Sequence, residues 1–195
     1  MVRALQAKDL PNIISVLRLV AAAPVIYLLL TERYGLGLFL FVLAGLSDGV
    51  DGFLAKHYGW QSKLGGILDP LADKALLISC YLVLGVMGLI PLWLTLAVLL
   101  RDLVIVFGAL LYHYLIADVQ ASPSYLSKIN TLVQILLVVA VIANAGPLPL
   151  PAFGVESLIW ICLATTLLSG GLYIRVWGKM ACSWAMSRQG SKTSD

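Results

Sequence analysis

Six apolar runs, each near the length of a bilayer span, dominate the chain: Asn12–Thr31, Gly35–His57, Leu64–Ile90, Leu92–Ile116, Tyr125–Asn144 and Gly154–Val176. About 20 residues of helix cross a hydrocarbon core of about 30 Å. In lipid every backbone N–H and C=O must be satisfied internally, which leaves helices or closed barrels. The runs lack the two-residue alternation of barrel strands. The expected fold is therefore all-α: a polytopic membrane protein of six transmembrane helices. Composition agrees, with 12% charged residues and a mean hydropathy of +0.96, against roughly 25% charged residues in soluble domains.

The remaining segments are short. Residues 1–11, opening "MVRALQAKDL", suit an amphipathic interfacial helix, and Pro11 opens the first span. Residues 12–180 form one membrane domain, and 181–195 a polar cytoplasmic tail ending "SRQGSKTSD", composed like a disordered segment. "AGPLPLPAFG" reads as a loop. The first run is longer than a signal h-region and no small-residue cleavage site follows it. The chain is accordingly expected to be complete, without a cleaved leader, and to lie in a bacterial cytoplasmic (inner) membrane.

Lysine and arginine placement orients it. Nine of the 13 cations (Arg3, Lys8, Lys56, Lys63, Lys128, Arg175, Lys179, Arg188 and Lys192) fall on the side holding both termini. Arg33 falls on the other side, and Arg18, Lys74 and Arg101 lie within spans. By the positive-inside rule the termini face the cytoplasm. A net charge of +3 gives no reason to expect nucleic acid. Cys80, Cys162 and Cys182 are scattered and odd in number, as buried apolar thiols would be.

Against this background, "LSDGVDGFLAKHYGWQSKLGGILDPLADKA" stands out for four aspartates, Asp48, Asp51, Asp69 and Asp73. Spacings of three and four put each pair on one helix face. A short loop joins spans two and three, so the pairs can converge near the cytoplasmic side. Ionised acids in a membrane cost about 2.5–3.5 kcal/mol each on insertion scales. Divalent cations would offset that cost, and an all-oxygen donor set suits Mg²⁺ or Mn²⁺. Gly45, Gly49, Gly52 and Gly65 would let helices and a phosphate group approach closely. Lys56 and Lys63 add positive charge at the mouth.

"DGVDGFLAKHYGWQSKLGGILDPLADK" resembles the signature of the CDP-alcohol phosphotransferase family, D-x2-D-G-x2-A-R-x8-G-x3-D-x3-D. It matches at Asp48, Asp51, Gly52, Ala55, Gly65, Asp69 and Asp73, with Lys56 replacing the usual arginine. The resemblance implies a two-metal transferase and a homodimer. Asp48, Asp51, Asp69 and Asp73 would hold two Mg²⁺ or Mn²⁺ ions, with Asp73 also the catalytic base. Gly52, Lys56 and Gly65 would border the CDP diphosphate.

"LPNIISVLRLVAAAP", "LGGILDPLADK", "LIPLWLTLAVLLRDLVIV" and "SYLSKINTLVQ" are similar to the eukaryotic-type cardiolipin synthase branch. That branch joins a phosphatidyl group from CDP-diacylglycerol to phosphatidylglycerol. The sister branch, phosphatidylglycerophosphate synthase, uses glycerol 3-phosphate and usually carries a second arginine after the one in span four; "LVIVFGALLYHY" has none. Arg101, Lys128 and Arg18 are the acceptor-phosphate candidates, although Arg101 could instead pair within its own neighbourhood, and Lys128 could be a plain anchor. Asn130, Thr131 and Gln134 either line the pocket or bond helix to helix. His113 and the five tryptophans suit the membrane interfaces. A divalent-cation transporter is the alternative from another class, but it would need polar groups on a path to both faces.

Overall fold

A computed structural model describes residues 10–57, 65–115 and 125–192, with side chains over 16–47, 74–108, 125–151 and 153–175. Six helices and no strand occur among the described residues: α1 (Leu10–Leu30), α2 (Tyr34–His57), α3 (Gly65–Val86), α4 (Leu92–Leu115), α5 (Tyr125–Ala145) and α6 (Ala152–Lys192). All six begin within two residues of the sequence-based bounds, and four also end within one. The interfacial helix expected over 1–11 lies almost wholly outside the described residues.

Two bounds differ for physical reasons. The third span, expected to reach Ile90, ends as a helix at Val86. Gly88 takes φ +74°, and Leu89 donates to the Leu84 carbonyl at 2.9 Å while Gly88 donates to Gly85 at 3.1 Å. This is a Schellman cap, and glycine enters the left-handed region without a Cβ penalty. At the other end of the chain, α6 runs on to Lys192, through most of the stretch expected to be a disordered tail. No proline follows Pro151, and "KMACSWAMSRQ" is rich in helix formers, so nothing stops the helix.

The chain falls into two compact units, Met1–Leu92 with Val138–Val155, and Trp93–Leu137 with Glu156–Asp195. In the first, α1 packs on both α2 and α3. Its inward stripe is Arg18, Ala22, Val25 and Leu29, the three–four spacing of one helix face. α2 answers with Phe41 and Ala44, and α3 with Leu77, Cys80 and Leu84, all buried. A Cβ on Gly37 would stand 3.2 Å from Leu29, so α1 and α2 meet closely there. Cys80 in this unit and Cys162 in the other are buried and in no disulfide, as expected; the side chain of Cys182 lies outside the description.

The second unit gathers most of α4, the first half of α5 and most of α6. Trp93 and Trp160 stack at 5.8 Å between ring centroids, and Thr166 donates to Asn130 Oδ1 at 3.0 Å. Here the usual pattern is inverted: Arg101, Asp102, Asn130 and Ser169 are buried, whereas Leu100, Leu132, Leu167 and Ile174 are exposed. Polar groups inside and leucines outside suit a lipid solvent. Among the described residues, the segments Tyr125–Ala145 and Phe153–Arg175 are long and apolar enough to cross a bilayer, and shorter apolar stretches cover Val16–Leu30, Tyr34–Ser47 and Lys74–Val86.

Candidate functional site

All four aspartates lie on helices, Asp48 and Asp51 on α2 and Asp69 and Asp73 on α3. Their side chains, with those of Gly52, Lys56 and Gly65, lie outside the described set, and no metal-holding cluster occurs among the described residues. The helices nevertheless set their register. On α2 the buried positions 37, 41 and 44 lead by steps of four and three to 48 and 51. On α3 the buried positions 84, 80 and 77 lead back by steps of three and four to 73 and 69. Each acidic pair thus continues, in helical register, the stripe that its own helix buries.

Arg18 extends the α1 stripe to the same end of this unit. It is 2% exposed and lines a pocket of about 450 Å³ with Leu17, Ala21, Leu43, Ala44 and Ser47. The α1–α2 turn occupies only three residues, so early α1 lies level with late α2, and Arg18 comes level with the helical turn preceding Asp48. Its Nε is buried. Gly45 is exposed, and a Cβ there would meet nothing within 4 Å. The close-approach reading of that glycine therefore fails: the tight α1–α2 contact is at Gly37.

The second unit builds its polar centre around Arg101. Nη1 donates to Asp102 Oδ1 at 2.6 Å, and Nη2 donates to Ser127 Oγ at 2.6 Å and Ser169 Oγ at 2.7 Å. Nε is buried and has no hydrogen-bond partner among the described residues. Arg101 and Asp102 are each 5% exposed, so this is a buried, charge-assisted network spanning three helices. The alternative reading of Arg101, a partner within its own neighbourhood, is the one these bonds display. Lys128 is exposed and takes no part in the network's hydrogen bonds. Thr131 donates to the Ser127 carbonyl of its own helix at 3.1 Å, whereas Asn130 bonds α5 to α6. Sequence reasoning had not picked out Ser127 or Ser169. The available signal was Thr166 and Ser169 three apart in an otherwise apolar helix.

Two acid pairs at helical spacing on α2 and α3, in a largely apolar chain, are the feature that most sets this site apart. The family model of the CDP-alcohol phosphatidyltransferases matches residues 8–169, and the chain belongs to that family. It is 35% identical over 179 residues to the cardiolipin synthase (CMP-forming) of Rattus norvegicus, covering 80% of this chain and 57% of that one. It is 36% identical over 151 residues to the protein of that name from Homo sapiens, covering 69% of this chain and 50% of that one. A chloroplastic CDP-diacylglycerol–glycerol-3-phosphate 3-phosphatidyltransferase of Oryza sativa is 32% identical over 186 residues, covering 83% of this chain and 54% of that one. The chain spans about half the length of these relatives.

Proposed function

We propose that this chain transfers a phosphatidyl group from CDP-diacylglycerol to the free hydroxyl of phosphatidylglycerol, giving cardiolipin and CMP. The observation that carries the reading is the complete acidic signature on two helices of one compact unit, in a chain similar to two cardiolipin synthases. The donor set is four carboxylates, which fits two Mg²⁺ or Mn²⁺ ions. Asp48, Asp51, Asp69 and Asp73 would hold them. Such ions, when bound, supply positive charge against the diphosphate and the leaving CMP.

The chain's own residues do the rest. Lys56 sets a cation beside the diphosphate, and Gly52 and Gly65 leave room for it. Asp73 takes the acceptor's hydroxyl proton. The hydroxyl oxygen forms its bond to the phosphorus that bears diacylglycerol. The bond from that phosphorus to the bridging oxygen breaks, and CMP departs with that oxygen. Arg18, Arg101 and Lys128 are assigned to the acceptor phosphate. Six spans in a bacterial cytoplasmic membrane, acidic helix ends toward the cytoplasm, fit the nine-to-one cation bias. The family resemblance adds a homodimer and a single membrane domain over 12–180.

The similarity to the rice enzyme supports a second reading, the same transfer to glycerol 3-phosphate. An acceptor panel separates the two. Purified protein with labelled CDP-diacylglycerol should yield cardiolipin from phosphatidylglycerol, identified by mass. Phosphatidylglycerophosphate from glycerol 3-phosphate, with no cardiolipin, would reverse the choice.

A further inference from the structure

α4 and α6 advance side by side. Trp93 meets Trp160 and Arg101 meets Ser169, pairs 67 and 68 apart in residue number, so the offset holds along the contact. Carried on to the end of α4, it sets Leu115 about level with residues 183 and 184 of α6. α4 stays apolar towards that end and carries Tyr112 and Tyr114 there. Around the same level α6 carries Trp177 and Trp184, seven residues apart and so on one helix face. Tyrosine and tryptophan gather at the edge of the hydrocarbon, and here two neighbouring helices mark one edge. α6 does not stop at it. The helix runs on to Lys192, which places Arg188 about 6 Å and Lys192 about 12 Å beyond Trp184 along the axis.

Charge sets this stretch apart. Arg175, Lys179, Arg188 and Lys192 fall within it, and no acidic residue occurs between Glu156 and Asp195. The headgroup layer is about 5–8 Å deep on each side of the hydrocarbon, and charges act over about 8 Å at physiological salt. Arg188 therefore comes level with the headgroups and Lys192 within reach of them, while the long stem of a lysine at 179 lets its ammonium extend to the same layer. Little of the chain accompanies the stretch. Ser127, the third residue of α5, shares the Arg101 guanidinium with Ser169, so α5 begins near the level of Ser169. α4 ends at Leu115. A second copy of the stretch would set like charges against each other. Four cations and two tryptophans at the bilayer edge are complementary to acidic phospholipid headgroups.

We propose that the α6 segment 175–192 is a binding element for acidic phospholipid, with Trp177 and Trp184 at the hydrocarbon edge and Lys179, Arg188 and Lys192 among the headgroups. The proposal goes beyond the transfer reaction and requires only that α6 cross a bilayer. Under the cardiolipin reading, acceptor and product are both acidic lipids, and the element holds such lipids beside the chain.

The full chain is reconstituted into nanodiscs of phosphatidylcholine alone and of phosphatidylcholine with one-third phosphatidylserine, an acidic lipid outside the proposed reaction. Amide hydrogen exchange over 176–192 is followed by mass spectrometry. A helix held by ligand opens less often, so exchange there should be at least five-fold slower in the acidic discs, with 125–145 unchanged. Half-molar salt should remove the difference. Equal exchange in the two discs overturns the proposal, whether the stretch is open in both or protected in both by the chain's own helices or a second copy. A difference that persists in salt overturns the role of charge. The variant combining Lys179→Gln, Arg188→Gln and Lys192→Gln should show no difference between discs, and one that keeps the wild-type difference also overturns it. The salt comparison uses wild type alone, so it decides the matter even if the variant does not fold. Neither readout depends on turnover: a chain that makes no cardiolipin fails that reading and leaves this one to the exchange data.

Discussion

Replacing Asp102 tests whether the Arg101 network is a single unit. The two side chains meet at 2.6 Å, each about 95% buried, and Ser127 and Ser169 complete the guanidinium's bonds. Removing one partner of a buried pair leaves an uncompensated charge and costs about 3–5 kcal/mol, whereas replacing both with apolar groups of similar size is often near neutral. The serine bonds are smaller: in membrane proteins such interactions average about 0.6 kcal/mol and reach about 1.7. Ion-pair loss should therefore dominate. For a chain of this size each kcal/mol moves the melting temperature by roughly 2–4 °C. Asp102→Leu should lower it by roughly 6–20 °C, and Ser169→Ala by no more than about 3–7 °C. The decisive variant is the double, Arg101→Met with Asp102→Leu, which should melt above Asp102→Leu alone while remaining inactive. Thermal unfolding of purified protein in detergent, followed by tryptophan fluorescence, reads all four proteins. A double variant that melts no higher than Asp102→Leu alone would refute the coupling.

Other expectations follow from the acidic motif and the turns. Asp48→Asn, Asp51→Asn and Asp69→Asn should each abolish transfer in protein that still inserts and purifies, and chelation should silence wild type until Mg²⁺ or Mn²⁺ returns; full activity in excess chelator contradicts the metal assignment. Asp73→Asn should lose most turnover yet keep much of its CDP-lipid binding, as expected of a base used only in the transition state, and a parallel loss of binding would reduce Asp73 to a ligand. Glu32 sits at φ 56°, where Arg33 donates to Leu28 at 2.8 Å in a second Schellman cap. Glu32→Gly should raise stability by about 0.5–1 kcal/mol, seen as a higher melting temperature. A Cβ on Gly146 would collide with the Tyr34 side chain, so Gly146→Ala should cost about 1–3 kcal/mol by the same measurement.

Helix positions were legible in the sequence because apolar runs are long and their breaks are chemical. Pro11, Pro91 and the "GPLPLP" stretch lie at helix starts, where a missing N–H costs nothing. The acidic signature was legible because both pairs sit at helical spacing within one short stretch, and the structure puts them on α2 and α3. The third helix end was misread because hydropathy continues through Leu89 and Ile90, while the backbone reverses at Gly88. The tail was misread from its polar composition, which does not stop a helix that lacks a breaker. The partners of Arg101 were the least legible part. Ser127 is 26 residues away and Ser169 is 68 away, and no local period encodes contacts that depend on how three helices pack.

The first unit also bears on the choice between transferase and transporter. Its inward stripes change character along their length. Toward the α1–α2 and α3–α4 turns they are apolar and tightly buried: Val25 and Leu29 on α1, Phe41 on α2, Leu84 on α3, and Ile90 beyond it. Toward the other end they meet Arg18 on α1, then positions 48 and 51 on α2 and 73 and 69 on α3. Helix packing alone would favour apolar residues along the whole stripe, because each charge there carries a desolvation cost. Charged positions gathered at one end are what the proposed ligand, entering and leaving by that end, would require. An ion pathway needs polar groups continuing toward the opposite face, and among the described residues the far end of this unit buries Val25, Leu29, Phe41, Leu84 and Ile90, with the Tyr81 phenol beside them. Polar positions at one end suit the proposed transfer, whose nucleotide would arrive from, and whose CMP would return to, the same aqueous compartment.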